Sequence, residues 1–169
     1  ERMALILLEL NEINFDAVDR YIDLYPGLLP GFQRLKSLHS ITTRAESRYE
    51  ELEPWIQWPS LHTGRTNDEH KIFRLGDFVN SNDTQIFEQV ESSGLTVGAI
   101  SPMNAANRLE KPAYFIPDPW TKTPSDGSWM SQALTSAVVQ AVNDNSKSKL
   151  TFKTLVSLGA AFIVLVKPT

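Results

Sequence analysis

Three short groups of carboxylate, amide and hydroxyl side chains follow apolar runs in this 169-residue chain. They are Glu9, Asn11 and Glu12, then Glu50 to Ser60 leading on to His62, then Ser101-Pro-Met-Asn104. Carboxylate and amide oxygens on one loop suit a hard divalent cation, and Asn11 with Glu12 offers two of them. The pair has a plainer reading as well, in which Asn11 and Asn14 turn the chain into a helix. Glu9 poses a separate question, because a carboxylate near the end of a buried strand must be paired, bound or protonated. Ser60 and His62 stand two apart, which on a helix sends them to different faces and rules them out as a nucleophile and base pair. Trp55 and Trp58 share a helical face and read as packing. Arg65, Lys71 and Arg74 are interleaved with Asp68, Glu69 and Asp77 and read as solvated surface.

The elements that must position these groups follow from periodicity. Met3 to Leu10 is a continuous apolar run of strand length, expected as a central strand covered on both faces. Asn14 is suited to cap a helix carrying Phe15, Val18, Tyr21, Ile22 and Tyr25, which Pro26-Gly27 ends. Leu28, Phe32, Leu35 and Leu38 suggest a second short helix with Pro30 near its start. Residues 39–46 alternate weakly, as a second strand would. A loop at Glu53-Pro54 precedes a helix through Thr63. Asn82-Asp83 is placed to cap a helix bearing Ile86, Phe87 and Val90, stopped by Gly94 and followed by a third strand over 95–100. Residues 107–127 hold four prolines and read as a long surface excursion. From Ser128 on, Met130, Leu134, Val138 and Val142 mark an amphipathic helix. Strands alternating with helices predict an α/β fold: a mainly parallel sheet with helices on both faces. In such sheets ligands bind beyond the carboxyl ends of the strands, which is where the three groups fall.

Composition narrows the function classes. The chain carries 16 Lys and Arg against 20 Asp and Glu, a net charge of −4, so no general attraction draws it to a phosphate backbone or an anionic bilayer. Nucleic acid and membrane are therefore not expected partners. With no cysteine and three histidines, disulfides, thiolate metal sites and a cysteine nucleophile are all out. There is no Walker loop and no G-x-G-x-x-G after a strand. Ala4 to Leu8 is broken at once by Glu9, which does not fit a signal peptide and suggests a cytoplasmic protein. Leu155 to Val166 is apolar apart from Ser157, shorter than the ~20 residues a membrane span needs, and is expected as a buried helix. Left uncovered, it would favour self-association through 155–166. The stop directly after this segment leads us to expect a single partial domain over 1–169, truncated at its C-terminus.

Over residues 4–104 the order of features resembles the N-terminal part of the alkaline phosphatase superfamily, particularly its phosphodiesterase, nucleotide pyrophosphatase and sulfatase-like branches. The resemblance rests on the first apolar run ending in Leu10-Asn11-Glu12 and on Gly27-Leu-Leu-Pro-Gly-Phe-Gln-Arg-Leu35. It continues through Trp55-Ile-Gln-Trp58 leading to His62-Thr-Gly-Arg65, Asn67-Asp-Glu-His70, and the helix, glycine turn and strand of 86–100. It implies an alkaline phosphatase-like α/β fold that hydrolyses phosphoric or sulfuric esters with divalent metal, often zinc, and an activated hydroxyl or modified thiol.

Carried onto this chain, the family's first metal-binding Asp falls on Asn11 and its neighbour on Glu12. The nucleophile falls at Pro54 beside Glu53 in the ungapped alignment, or at Gln57 in the alternative. Neither position bears a hydroxyl or thiol. His70 matches a structural turn residue, and Asn104 would be a substrate contact. The expected function is a phosphohydrolase or phosphodiesterase-like domain of low or no turnover, acting on a small phosphorylated or sugar ligand. The alternative is a non-catalytic ligand-binding or assembly member of the same fold.

Overall fold

A computed structural model describes residues 4–146 together with 152, 155, 156 and 159. The chain divides into two compact units, residues 1–45 and 46–169.

The first unit is helical. Helix α1 (Phe15–Leu24) starts at Asn14, whose backbone is extended and whose side chain accepts the Ala17 N–H at 3.0 Å, satisfying one of the first-turn donors that no helical carbonyl reaches. Helix α2 (Pro30–Lys36) has Pro30 in its first turn, where the fixed φ is already helical and no N–H is lost. Lys36 reaches back to pair with Asp19 of α1. Both helices form where the periodicity placed them.

The two strands expected in this part of the chain do not form. Residues 4–10 pair with no other strand among the described residues, and Leu5 is 91% and Leu8 74% exposed. Glu9 is half-exposed and lies in no buried strand, and 39–46 likewise form no strand. Apolar composition shows that a segment tolerates burial, whereas a strand also needs a neighbour to take its N–H and C=O groups.

The second unit holds the sheet. Strand β1 (Gly98–Ile100) runs parallel to β2 (Tyr114–Ile116), with Gly98 opposite Tyr114 and Ile100 opposite Ile116. The fold of the described residues is thus mixed α/β and mostly helical, and the extended parallel sheet expected from the sequence is here two short strands. Strand β2 lies inside the proline-rich stretch read as a surface excursion. Its three residues are too few for a periodic signal between Pro112 and Pro117.

Around the pair stand α3 (Pro54–Thr63), α4 (Asn67–His70), α5 (Ile86–Ser92) and α6 (Trp129–Ser146). Rings link three of these elements: His62 of α3 lies 5.1 Å from Phe87 of α5, which meets Phe115 of β2 edge-on at 6.5 Å. Ile72, Phe78 and Ala106 form a buried apolar cluster beside them. Arg108 lies over the Phe78 ring at 5.4 Å and donates to the carbonyls of Phe78, Ser81 and Asp83.

Helix α5 is capped by Gln85, in a reciprocal box with Glu88, instead of Asn82-Asp83. Asp83 is occupied by Arg65 at 2.7 Å. Helix α6 begins after Ser128, whose hydroxyl accepts the Ser131 N–H at 3.2 Å. Upstream, Asp126 accepts the N–H groups of Phe115 at 2.6 Å and Ser128 at 2.8 Å, fastening β2 to the start of α6. Burial works against its charge, but the hydroxyls of Ser128 and Ser131 and these two N–H groups outweigh it and hold the carboxyl far below the usual range. No helix of the described residues is long and apolar enough to cross a membrane. The expected terminal helix over 155–166 lies outside the described residues apart from 155, 156 and 159, of which Leu155 and Val156 are exposed.

Gln85 is fully buried and behaves like a piece of strand: its amide donates to the Ala106 carbonyl at 2.8 Å and accepts the Ala106 N–H at 3.0 Å. Gln85→Leu keeps the volume but leaves both Ala106 groups buried and unpaired, so urea unfolding is expected to show a loss of about 2–4 kcal/mol. A change below about 0.5 kcal/mol, the scatter of ordinary surface substitutions, would contradict this role.

Candidate functional site

The first turn of α3 is tied from a distant part of the second unit. Glu53 is the extended residue before the helix and Pro54 opens it; no side chain caps this end. Pro59, inside the helix, has no N–H to give the carbonyl four residues back, so the Trp55 carbonyl is released from the helical ladder. Asn104 takes it up, its amide donating to the Trp55 carbonyl at 2.7 Å and to the Arg74 carbonyl at 3.1 Å, while its oxygen accepts the Gly76 N–H at 2.8 Å.

Asn104 lies in the loop that leaves the carboxyl end of β1, and the loop leaving β2 locks it in place. Asp118, 2% exposed, accepts the Asn104 N–H at 2.8 Å and binds the N–H of Trp120, the N–H of Thr121 and the Thr121 hydroxyl. Four donors on one buried carboxylate replace the water it gives up. Ser101 and Asn104 both have left-handed backbones, with φ of 54° and 52°, a conformation that persists in residues other than glycine only where the surroundings enforce it. The start of α3 is thereby held at the carboxyl ends of two parallel strands.

Of the residues singled out in the sequence, Glu53 and Gln57 lie at the start of α3 and Asn104 binds the Trp55 carbonyl between them in sequence. Glu53 is half-buried, and its carbonyl accepts the N–H groups of Ile56 and Gln57. Gln57 donates its amide to the Glu51 carbonyl at 2.6 Å, folding the turn Tyr49–Glu51 back on α3. Asn104 is fully buried with both amide hydrogens committed, so it acts on the fold and does not offer its amide to a ligand. Asn11 and Glu12 lie in the first unit, exposed on one turn, with Glu12 at a φ of 58°. They supply at most two of the six or more oxygens a hard cation takes. Among the described residues no group of three or more His, Asp or Glu side chains is placed to hold a metal ion. The donor set therefore does not complete the metal site that the resemblance implies.

One pair went unnoticed in the sequence. Ser60 Oγ lies 2.8 Å from His70 Nε2, the separation of a nucleophile and its base. The polarity is reversed. His70 Nδ1 accepts the Ile72 N–H at 2.9 Å, so the neutral ring carries its proton on Nε2 and donates to Ser60. Ser60 is thus not activated, and the bond ties α4 to α3. Asp118 was missed as well, although Asp118-Pro-Trp-Thr121 has the side-chain-to-backbone turn signature.

Comparison with protein-family models, curated proteins and solved structures returned no match.

Asn104→Asp tests the node. The introduced carboxylate can still accept from Gly76 but faces the Trp55 and Arg74 carbonyls with no hydrogen to give, so a loss of about 3 kcal/mol is expected at neutral pH. The loss should shrink in acid, where a protonated carboxyl regains one donor. A variant as stable as the parent at pH 7 would contradict the assignment.

Proposed function

We propose that this chain is an alkaline phosphatase-like domain of the phosphoric or sulfuric ester hydrolase type, with low turnover, in which the first turn of α3 receives the ester. The observation that carries the reading is the Asn104 tie between this turn and the carboxyl ends of β1 and β2. The Trp55 N–H, left over in a first turn where Pro54 has no N–H and Ile56 and Gln57 bond the Glu53 carbonyl, and the positive end of the helix favour an anion, and the carboxyl ends of parallel strands are where α/β folds bind ligands. The resemblance in the stretch from Trp55 to His70 supports the same position.

With no hydroxyl or thiol at 54 or 57, a covalent intermediate has no acceptor there. Water attacks phosphorus directly, Glu53 takes its proton, and the ester oxygen leaves with the bonding pair and a proton from solvent.

Hydrolysis of bis(4-nitrophenyl) phosphate tests this. Slow turnover above the buffer rate is expected, falling about 10²-fold in Glu53→Gln, the magnitude of a lost general base. A rate unchanged in Glu53→Gln would overturn the site. The commitment of the Asn104 amide to the fold favours a second reading, a non-catalytic member that binds a small phosphorylated or sugar ligand. That reading predicts saturable binding of inorganic phosphate with no turnover.

A further inference from the structure

The His70 ring is 5% exposed, and both of its nitrogens are engaged: Nδ1 accepts the Ile72 N–H at 2.9 Å and Nε2 meets Ser60 Oγ at 2.8 Å. This arrangement has room for one ring proton. A second proton must go to Nδ1, where it would point at the hydrogen of Ile72 N–H and replace an attraction by a repulsion. Ile72 is itself buried against Phe78 and Ala106, so its amide has no water to turn to. The segment that follows is the one that holds the α3 node, through the Arg74 carbonyl and the Gly76 N–H on Asn104.

We propose that His70 is a protonation switch: uptake of a proton at Nδ1 breaks its bond with Ile72 and loosens the 70–76 segment that positions Asn104 and the first turn of α3. The charged groups around the ring set its working range. Asp83, in the loop before α5 and paired with Arg65, Glu46 ahead of the Tyr49–Glu51 turn, and Glu69 of α4 all favour the charged ring. From α3 the facing group is the Ser60 hydroxyl, while His62 on that helix stacks on Trp58 and meets the Phe87 ring at a tilt.

Burial is the largest influence and outweighs the carboxylates, so the ring titrates below its ordinary value. The sign follows. The unfolded chain takes up the proton near pH 6.5 and the folded chain only at lower pH, so stability falls as pH drops through that interval and is fully present above it. The switch is therefore closed at neutral pH and opens in mild acid.

The test uses the side-chain geometry of two variants of the full chain. Asn at position 70 places an amide oxygen where Nδ1 stands and accepts the Ile72 N–H without titrating, whereas Gln places its polar group at Nε2. In the parent, amide exchange is expected to show Ile72 and Gly76 protection, corrected for the intrinsic pH effect, falling about tenfold per pH unit within the interval. His70→Asn should abolish this fall, and His70→Gln should leave Ile72 unprotected at every pH. An equal fall in His70→Asn and the parent would overturn the proposal, as would Ile72 protection that stays constant while His70 titrates. Nitrogen-15 spectra of the parent imidazole read the same question without a variant: a neutral ring protonated at Nε2 is expected, and one protonated at Nδ1 would overturn it.

Discussion

The second unit turns on one backbone carbonyl. A proline in the sixth position of α3 strips Trp55 of its helical partner, and a carbonyl left unpaired near the interior costs about as much as a lost hydrogen bond. The side chain of Asn104 supplies the missing donor from 49 residues away along the chain. That replacement is what brings α3, the turn around Gly76 and the loop after β1 to one point. Asp118 then fixes Asn104 from the loop after β2, so the ends of both strands and the start of the helix share one hydrogen-bonded node.

The same logic recurs elsewhere in this unit. Gln85 stands in for a strand at Ala106, Asp126 for one at Phe115, and Glu91 receives the consecutive N–H groups of Glu110 and Lys111. With two short strands among the described residues to satisfy backbone groups, side-chain amides and carboxylates do much of the pairing that a larger sheet would do. The start of α3 follows the same rule: it has no side-chain cap of its own and is held from behind through Trp55.

What was legible in the sequence was local. Asn14 announced α1, Pro30 the start of α2, Glu53-Pro54 the start of α3, and the run from Ile86 past Gly94 the sequence of helix, turn and β1. Each of these signals acts within a few residues, where steric and capping rules operate. The rest depends on partners distant in sequence. Residues 4–10 carry a strand's composition but no neighbouring strand among the described residues, and β2 is too short to show a period. Glu53 and Asn104 were singled out by their positions after predicted elements, yet only the fold reveals that Asn104 is a tie. Ser60 and His70 lie ten residues apart and meet only because α4 folds back on α3.

The central claim is that Asn104 serves the carbonyl that Pro59 released, and a double-mutant cycle between the two positions tests it most directly. Pro59→Ala restores an N–H that can take the Trp55 carbonyl, while Asn104→Gly removes the distant donor and keeps the left-handed backbone accessible. The restored N–H should matter most when Asn104 is gone, so the account predicts that the double variant is more stable than the sum of the single effects by about 1 kcal/mol. Effects that add within about 0.3 kcal/mol would show that the two positions act independently and would contradict it.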